Sequence, residues 1–370
     1  MKISCQKSDL LNGVNIVMKA VPAKSTMPIL ECLIIEASGQ GIKLIANDME
    51  IGIETFVNGM VLETGSVALN AKVFSEIIRR LPDNEVNIFT DDNYVTEITC
   101  EKSRFSIMGR SGEEFPKLPA IIKERPLTLS QFTLKEIIRQ TVFSISDNES
   151  NKIMTGELFD IKKNELRVIS LDGHRISIRK VMLKEEYEDK KVIIPGKTLN
   201  EISKILSGEA SSNADIYFSD KHALFEFDDT VVVTRLIEGE YYRIDQMLSS
   251  DYETKISINK KELLSCIERA TLLIRETEKK PIIINISGNN FELSVNTSLG
   301  SMKEDIDIAM EGKDIIIGFN PRFLTEALRV IDDEIVDIYL INPKAPCFIR
   351  DKEQTYIYLI LPVNIHVRSE

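Results

Sequence analysis

One amphipathic segment, written three times at a single period, limits what this chain can fold into more than any other feature. It runs Asn70–Leu81, returns as Pro195–Leu206 and returns again as Asn320–Ile331, each start 125 residues after the last. Every copy places a base, a glutamate four residues on and a second base three further: Lys72/Glu76/Arg79, Lys197/Glu201/Lys204 and Arg322/Glu326/Arg329. Those offsets put the charges on one face of a helix. Phe74, Ile77, Ile78 and Leu81, then Leu199, Ile202 and Leu206, then Leu324, Ala327, Leu328 and Ile331 fall on the other face. Three helices of one design predict three domains of one design.

A chain of 370 residues divides into three units, each large enough to bury its own core. We expect these at residues 1–121, 126–249 and 253–370, with Pro116, Pro119 and Pro126 marking the first linker. In each unit the spacing predicts a strand, a helix, several strands, the marker helix and further strands. The first helices, Ser8–Ala20 (Ser8 as a candidate N-cap), Thr133–Ser144 and Lys260–Ile274, also superpose, since Leu10, Ile137 and Leu263 recur at nearly the same period. In the middle unit, strands are expected near 155–161, 165–170, 175–181 and 191–194. Most connections are too short for crossovers, so the fold class is α+β, with two helices per domain on antiparallel sheets.

Five scattered cysteines with no C-x-x-C pair predict reduced thiols and a cytoplasmic location. The chain has no apolar run long enough to span a membrane and no secretory segment at its start, so no membrane partner is expected.

Lys and Arg number 46 against 58 Asp and Glu, a net charge of −12, which taken alone argues against nucleic acid. The average hides a segregation. Counted with their flanking bases, the first helices as Lys7–Ala20, Thr133–Ser144 and Lys260–Arg275, the six predicted helices together carry +8, leaving −20 on the rest. Bases on an exposed helix face also serve simply to keep a protein soluble. Repeated six times, they also suit a surface that meets phosphates while the remainder repels them.

No enzyme site emerges. His174, in Asp172-Gly173-His174-Arg175, lacks a neighbouring nucleophile motif and is read as a turn residue rather than a general base. His222 and His366 are the only other histidines. Asp305/Asp307 and Asp48/Glu50 alternate as the exposed face of a strand does, and no phosphate loop or dinucleotide fingerprint occurs. We expect no catalytic residue, no metal and no cofactor.

Several motifs resemble the bacterial DNA polymerase sliding clamp, the beta subunit of replicative polymerase III. They are Lys24–Leu30, Asn47–Ile51, Glu113–Leu118, Ser170–Ile176, Arg235–Gly239, Gly318–Leu324 and Tyr358–Val363, spread over essentially the whole chain. The resemblance implies three DNA-clamp domains in a head-to-tail dimeric ring that encircles double-stranded DNA without reading sequence. It implies DNA-facing roles for Lys24, Lys72, Arg79, Lys197, Lys204, Arg322 and Arg329. It implies a dimer interface of Ile77, Phe105 and Ile107 against Leu272 and Leu273.

The same resemblance implies a pocket formed by Met154, Leu171, Gly173, His174, Arg175, Ile176, Tyr242, Met247, Leu361, Pro362 and Val363. It would take glutamine-and-apolar peptide motifs of the polymerase alpha subunit, the clamp loader and other clamp-binding proteins. Tyr242, Gln246 and Asn364 stand where many members of that family carry Pro, Arg and Arg. A mildly basic bore glides where a strongly basic one sticks, which gives the glutamate of each triad a purpose. The rival reading is a three-domain peptide-binding scaffold that never touches DNA; it explains the pocket and the acidity but not the helices.

Overall fold

The structure, a computed structural model, describes residues 1–248, 251–275, 277–278 and 280–365. His366 lies outside these residues.

The first repeat runs β1 (Lys2–Gln6), α1 (Lys7–Val17), β2 (Cys32–Ser38), β3 (Gly41–Asn47), β4 (Ile51–Val57), β5 (Met60–Glu63), β6 (Gly65–Asn70), α2 (Ala71–Arg80), β7 (Glu85–Thr90), β8 (Val95–Cys100), β9 (Ser103–Met108) and β10 (Arg110–Ser111). The second runs β11 (Leu127–Ser130), α3 (Gln131–Thr141), β12 (Gly156–Leu171), β13 (Arg175–Pro195), α4 (Gly196–Ile205), β14 (Asn213–Phe218), β15 (His222–Phe227) and β16 (Thr230–Arg235). The third runs β17 (Thr254–Asn259), α5 (Lys260–Thr271), β18 (Ile282–Ser287), β19 (Asn290–Thr297), β20 (Gly300–Asp307), β21 (Ala309–Gly312), β22 (Ile315–Phe319), α6 (Pro321–Val330), β23 (Ile335–Leu340), β24 (Cys347–Arg350) and β25 (Tyr356–Ile360).

The marker helices form where the triads place them. Asn70 caps α2 by accepting from the Val73 amide, and Asn320 caps α6 by accepting from Arg322, with Pro321 supplying a preset φ in the first turn. Leu81 is extended because Pro82 follows it, and α2 stops there. Phe74 and Ile78, Leu199 and Ile202, and Leu324, Ala327 and Leu328 are buried, whereas Ile77 is only half covered. A second device closes two of these helices. Lys135 Nζ donates to the Leu206 carbonyl at 2.9 Å and Lys260 Nζ to that of Ile331 at 2.6 Å, both across 71 residues of sequence. A cation thus meets the free carbonyls at a helix C-terminus.

Three expectations need correction. Ser8 lies inside α1, and the N-cap is Gln6, which makes no side-chain cap bond, since the helix starts directly from β1. The four strands expected in the middle repeat are two long ones, β12 and β13, paired from Gly156↔Pro195 to Leu171↔Ile176. Between Ile161 and Glu165 the register shifts, and the charged stretch that reads as a loop stays in the ribbon. It pairs at Lys163↔Tyr187 and again at Glu165↔Met182, with residues 183–186 bulged between, and most of its side chains face water. Finally, β5, β10 and β21 are short edge strands too weakly patterned to recognise in advance.

The chain forms two compact units, Met1–Lys135 with Thr198–Leu236, and Glu136–Lys197 with Ile237–Glu370. The first holds a five-stranded sheet, β5-β1-β7-β8-β9, and a nine-stranded sheet, β10-β6-β2-β3-β4-β16-β15-β14-β11. The second holds a seven-stranded sheet, β12-β13-β25-β24-β23-β17-β21, and a four-stranded sheet, β20-β19-β18-β22. Every pairing between these strands is antiparallel.

The two larger sheets join successive repeats. In the first unit β4 pairs with β16 (Thr55↔Thr230), and the two threonine hydroxyls meet at 2.8 Å in the buried seam. In the second unit β13 pairs with β25, Arg175 opposite Ile360. The same junction is therefore made twice: β4 of the first repeat meets the last strand of the second, and β13, which follows the double-length β12 as a fourth strand would, meets the last strand of the third. The corresponding strands without a partner on that side are β9 and β20, each at the edge of its sheet.

Among the described residues no helix is long and apolar enough to cross a membrane. All five cysteines are buried and unpaired.

Candidate functional surfaces

The charged helix faces come first. Lys24, in the loop before the turn at Pro28–Glu31, is exposed, as are Lys72 and Arg79 on α2, Lys197 and Lys204 on α4, and Arg322 and Arg329 on α6. Arg79 donates to Glu76 at 2.7 Å, and Lys204 to Glu201 at 2.8 Å. The third triad is wired differently. Arg322 donates to Glu326 at 2.7 Å, but Arg329 reaches across to Glu268 of α5 at 2.9 Å. Among the described residues Lys24 and Lys72 pair with no carboxylate, which leaves their charge available to an outside anion. The alternating acids are engaged locally: Asp48 Oδ1 accepts the Glu50 and Ile51 amides of a turn, and Asp305 accepts from Asn290.

The expected pocket residues all lie in the second unit, and the structure brings them together around one buried cluster. Leu171 and Ile176 form its floor with Leu158, Ile169, Tyr241 and Ile244, and Met154 packs against it. Tyr242 and Met247 lie next to these anchors in sequence and are exposed, as are Leu361 and Val363. Gly173 sits at φ +90°, which the turn before β13 requires, and an added Cβ there would meet no other atom. The chain end is pinned beside this turn: the Leu361 amide donates to the His174 carbonyl at 2.8 Å, and that of Val363 to Gly318 at 2.8 Å, with Pro362 between. An apolar floor, exposed apolar rims and a few fixed polar groups are what an extended peptide needs.

Sequence reasoning missed three members of this site. The His174 ring stacks on Phe323 of α6, centroids 6.1 Å apart. Asn151 donates to the Tyr242 hydroxyl at 2.8 Å across the rim. The third is Glu326, which lies in the repeated charge pattern yet bonds Nη1 of Arg175. Phe323 carried a signal, being part of the Gly318–Leu324 motif, whereas Asn151 and the Glu326 contact carried none.

Arg175 is 3% exposed and its charge is fully engaged. Burial works against that charge, but Tyr358, Glu326 and Asp172 around it keep its pKa above the ordinary arginine value. Two grooves elsewhere, of about 740 Å³ beside Lys43, Glu54 and Phe115 and about 660 Å³ beside Lys255, Asp337 and Arg350, involve none of the expected residues.

For the expected interface, Ile77 is half-buried on α2. Phe105 and Ile107 lie on β9, with Phe105 39% exposed. Leu272 just after α5 is 79% exposed and Leu273 packs on the third core.

Repeated two-helix units on antiparallel sheets, with basic helix faces and strand-to-strand junctions between repeats, define a DNA clamp. Sequence models of the DNA polymerase III beta subunit match throughout: the N-terminal domain over residues 1–119, the central domain over 128–242 and the C-terminal domain over 245–364. The beta sliding clamp of Staphylococcus epidermidis is 33% identical over 99% of this chain and all of its own. A crystal structure from Eubacterium rectale, solved as a candidate beta subunit, is 61% identical, with a TM-score of 0.96 and 99% of each chain covered. The sliding clamp of Bacillus subtilis is 33% identical over 99% of this chain and all of that one, with a TM-score of 0.95. The chain belongs to the DNA polymerase III beta subunit family, the beta sliding clamps. It has three clamp domains and is a non-catalytic processivity factor of DNA replication.

Proposed function

We propose that two copies of this chain close head to tail around duplex DNA in the cytoplasm and tether the replicative polymerase through the pocket beside Arg175. The observation that carries ring closure is the pair of open edges. The junction β4·β16 and the junction β13·β25 occur within the chain, and the third of the series needs β20 of one copy against β9 of another. An uncovered edge strand is a liability, and a second copy covers both. Phe105 and Ile107 on β9, Ile77 on α2, and Leu272 and Leu273 just after α5 supply the apolar part of that contact.

In this reading Lys24, Lys72, Arg79, Lys197, Lys204, Arg322 and Arg329 face the duplex. Topology holds the protein on DNA, so the phosphate contacts are weak and exchange easily, as the acid partners at Glu76, Glu201 and Glu326 favour. The domains are residues 1–121, 126–249 and 253–370. The pocket accepts glutamine-and-apolar motifs from the polymerase alpha subunit, the clamp loader and other clamp-binding proteins.

The test is topological. Loaded onto nicked circular DNA by its clamp loader, the protein is expected to stay on the circle and to run off once the DNA is linearised. Equal retention on both forms would refute encirclement, and no retention on either would favour the scaffold that never touches DNA.

A further inference from the structure

The helix α6 serves two surfaces. Arg322 and Arg329 belong to its exposed charged face, while Phe323 and Glu326 reach the turn that carries Gly173 and His174. In the first two repeats the glutamate bonds bases of its own helix: Glu76 with Arg79 and Arg80, and Glu201 with Lys204. In the third, Oε1 of Glu326 accepts from Arg322 Nε at 2.7 Å and Oε2 accepts from the buried Arg175. Arg175 also donates to Asp172 Oδ2 at 2.8 Å and to the Phe143 carbonyl, and its guanidinium lies 4.6 Å over the Phe323 ring. Asp172 in turn accepts the amides of His174 and Arg175 at 2.9 and 3.2 Å, which fixes the turn at the pocket. One carboxylate is therefore shared between an exposed arginine and the arginine that holds the pocket together.

We infer that Glu326 is a positioning residue for the peptide pocket, and that a phosphate bound at Arg322 and a peptide bound beside Arg175 strengthen each other through its shared carboxylate. The inference rests on the DNA and peptide roles proposed above. A phosphate competes well for a guanidinium, because the pairing is charge-assisted and forked. Once Arg322 turns to a phosphate, the Glu326 charge is no longer divided and acts on Arg175 alone. A buried guanidinium depends strongly on its partners, so the turn it ties becomes stiffer. Linkage makes the effect mutual: what DNA does for the peptide, the peptide does for DNA.

The test is fluorescence anisotropy of a labelled hexapeptide, one glutamine with three leucines, on the full-length dimer with and without a short duplex. Wild type is expected to bind the peptide about threefold to tenfold more tightly with duplex at low salt, the range of ordinary coupling reduced by solvent screening. Arg322→Ala is expected to bind peptide without duplex as tightly as wild type does with it, and to lose the response. Glu326→Gln is expected to weaken peptide binding about tenfold, with Glu326→Asp recovering part of the loss. Glu76→Gln and Glu201→Gln, the same charge change without the link, are expected to shift it less than about twofold. Wild-type peptide affinity in Glu326→Gln, or a duplex response that survives Arg322→Ala, overturns the inference. Should Glu326→Gln fail to fold, the exposed Arg322→Ala still decides. A wild type that binds no peptide at all overturns the pocket reading itself, and the inference with it.

Discussion

Glu157 is fully buried on β12 and takes no part in either surface. Burial pushes its carboxyl up to about 8. Thr141 Oγ1, with a single hydrogen, lies 2.7 Å from the Ile137 carbonyl oxygen and 3.1 Å from Glu157 Oε2. With that hydrogen given to Ile137, Oγ1 accepts from a protonated Glu157, and the neutral acid fits its site. Because the folded-state pKa is raised above the ordinary 4.5, the folded protein keeps a proton the unfolded chain has lost. Stability is therefore undiminished below 4.5 and falls as pH rises toward 8, by about 1.4 kcal/mol per unit. Glu157→Gln keeps the shape and the donor to Thr141 without needing a proton. It is expected to match wild type near pH 4.5 and to gain roughly 3 kcal/mol at pH 7, read as a higher Tm. A Tm difference that does not change with pH would show that Glu157 is not protonated in the fold. This residue left no mark in the sequence, because its neutral state depends on three-dimensional burial alone.

At the scale of elements, the marker helices were the most legible part of the chain. Their periodicity reports a buried stripe, and packing preserved that stripe in all three copies. What the pattern did not reveal was each glutamate's partner, since a carboxylate's choice among bases depends on neighbours brought in from distant sequence. Arg329 turned to Glu268, and Glu326 turned to Arg175. The pocket was legible through its motifs, Phe323 among them, while Asn151 and the Glu326 contact entered only with the fold. The β12–β13 ribbon was misread because charged residues mimic a loop when both faces of a strand are wet. These differences separate the three triads functionally. Glu76→Gln with Glu201→Gln removes two negative charges per chain from the helices proposed to face DNA and is expected to slow one-dimensional diffusion about twofold to fivefold, more so at low salt. Single-molecule tracking at matched salt checks this, and an unchanged diffusion rate would mean those carboxylates only stabilise their helices. Lys260→Met leaves the Ile331 carbonyl without its cation and is expected to lower stability by about 1 kcal/mol with no effect on sliding.

At the scale of the molecule, closure is a question about two different surfaces. A head-to-tail ring has two identical junctions, each joining the β9 face of one copy to the β20 face of the other. A charge on either face breaks both junctions, because every junction uses both faces. Phe105→Asp and Leu272→Asp change exposed side chains, so each variant is expected to keep its far-UV circular dichroism. Each should sediment as a monomer, its self-association weakened at least about tenfold by placing a carboxylate in an apolar contact. Mixing the two variants then distinguishes the geometries. One of the two possible junctions unites both altered faces and stays open; the other unites the two intact faces, Phe105 of the Leu272→Asp chain with Leu272 of the Phe105→Asp chain. Head-to-tail pairing therefore predicts that two monomers combine into an open dimer, which forms in solution yet fails to stay on circular DNA. A head-to-head arrangement, in which each face meets its own copy, predicts no such rescue by mixing. Sedimentation of the equimolar mixture, followed by the circle-retention assay, separates them.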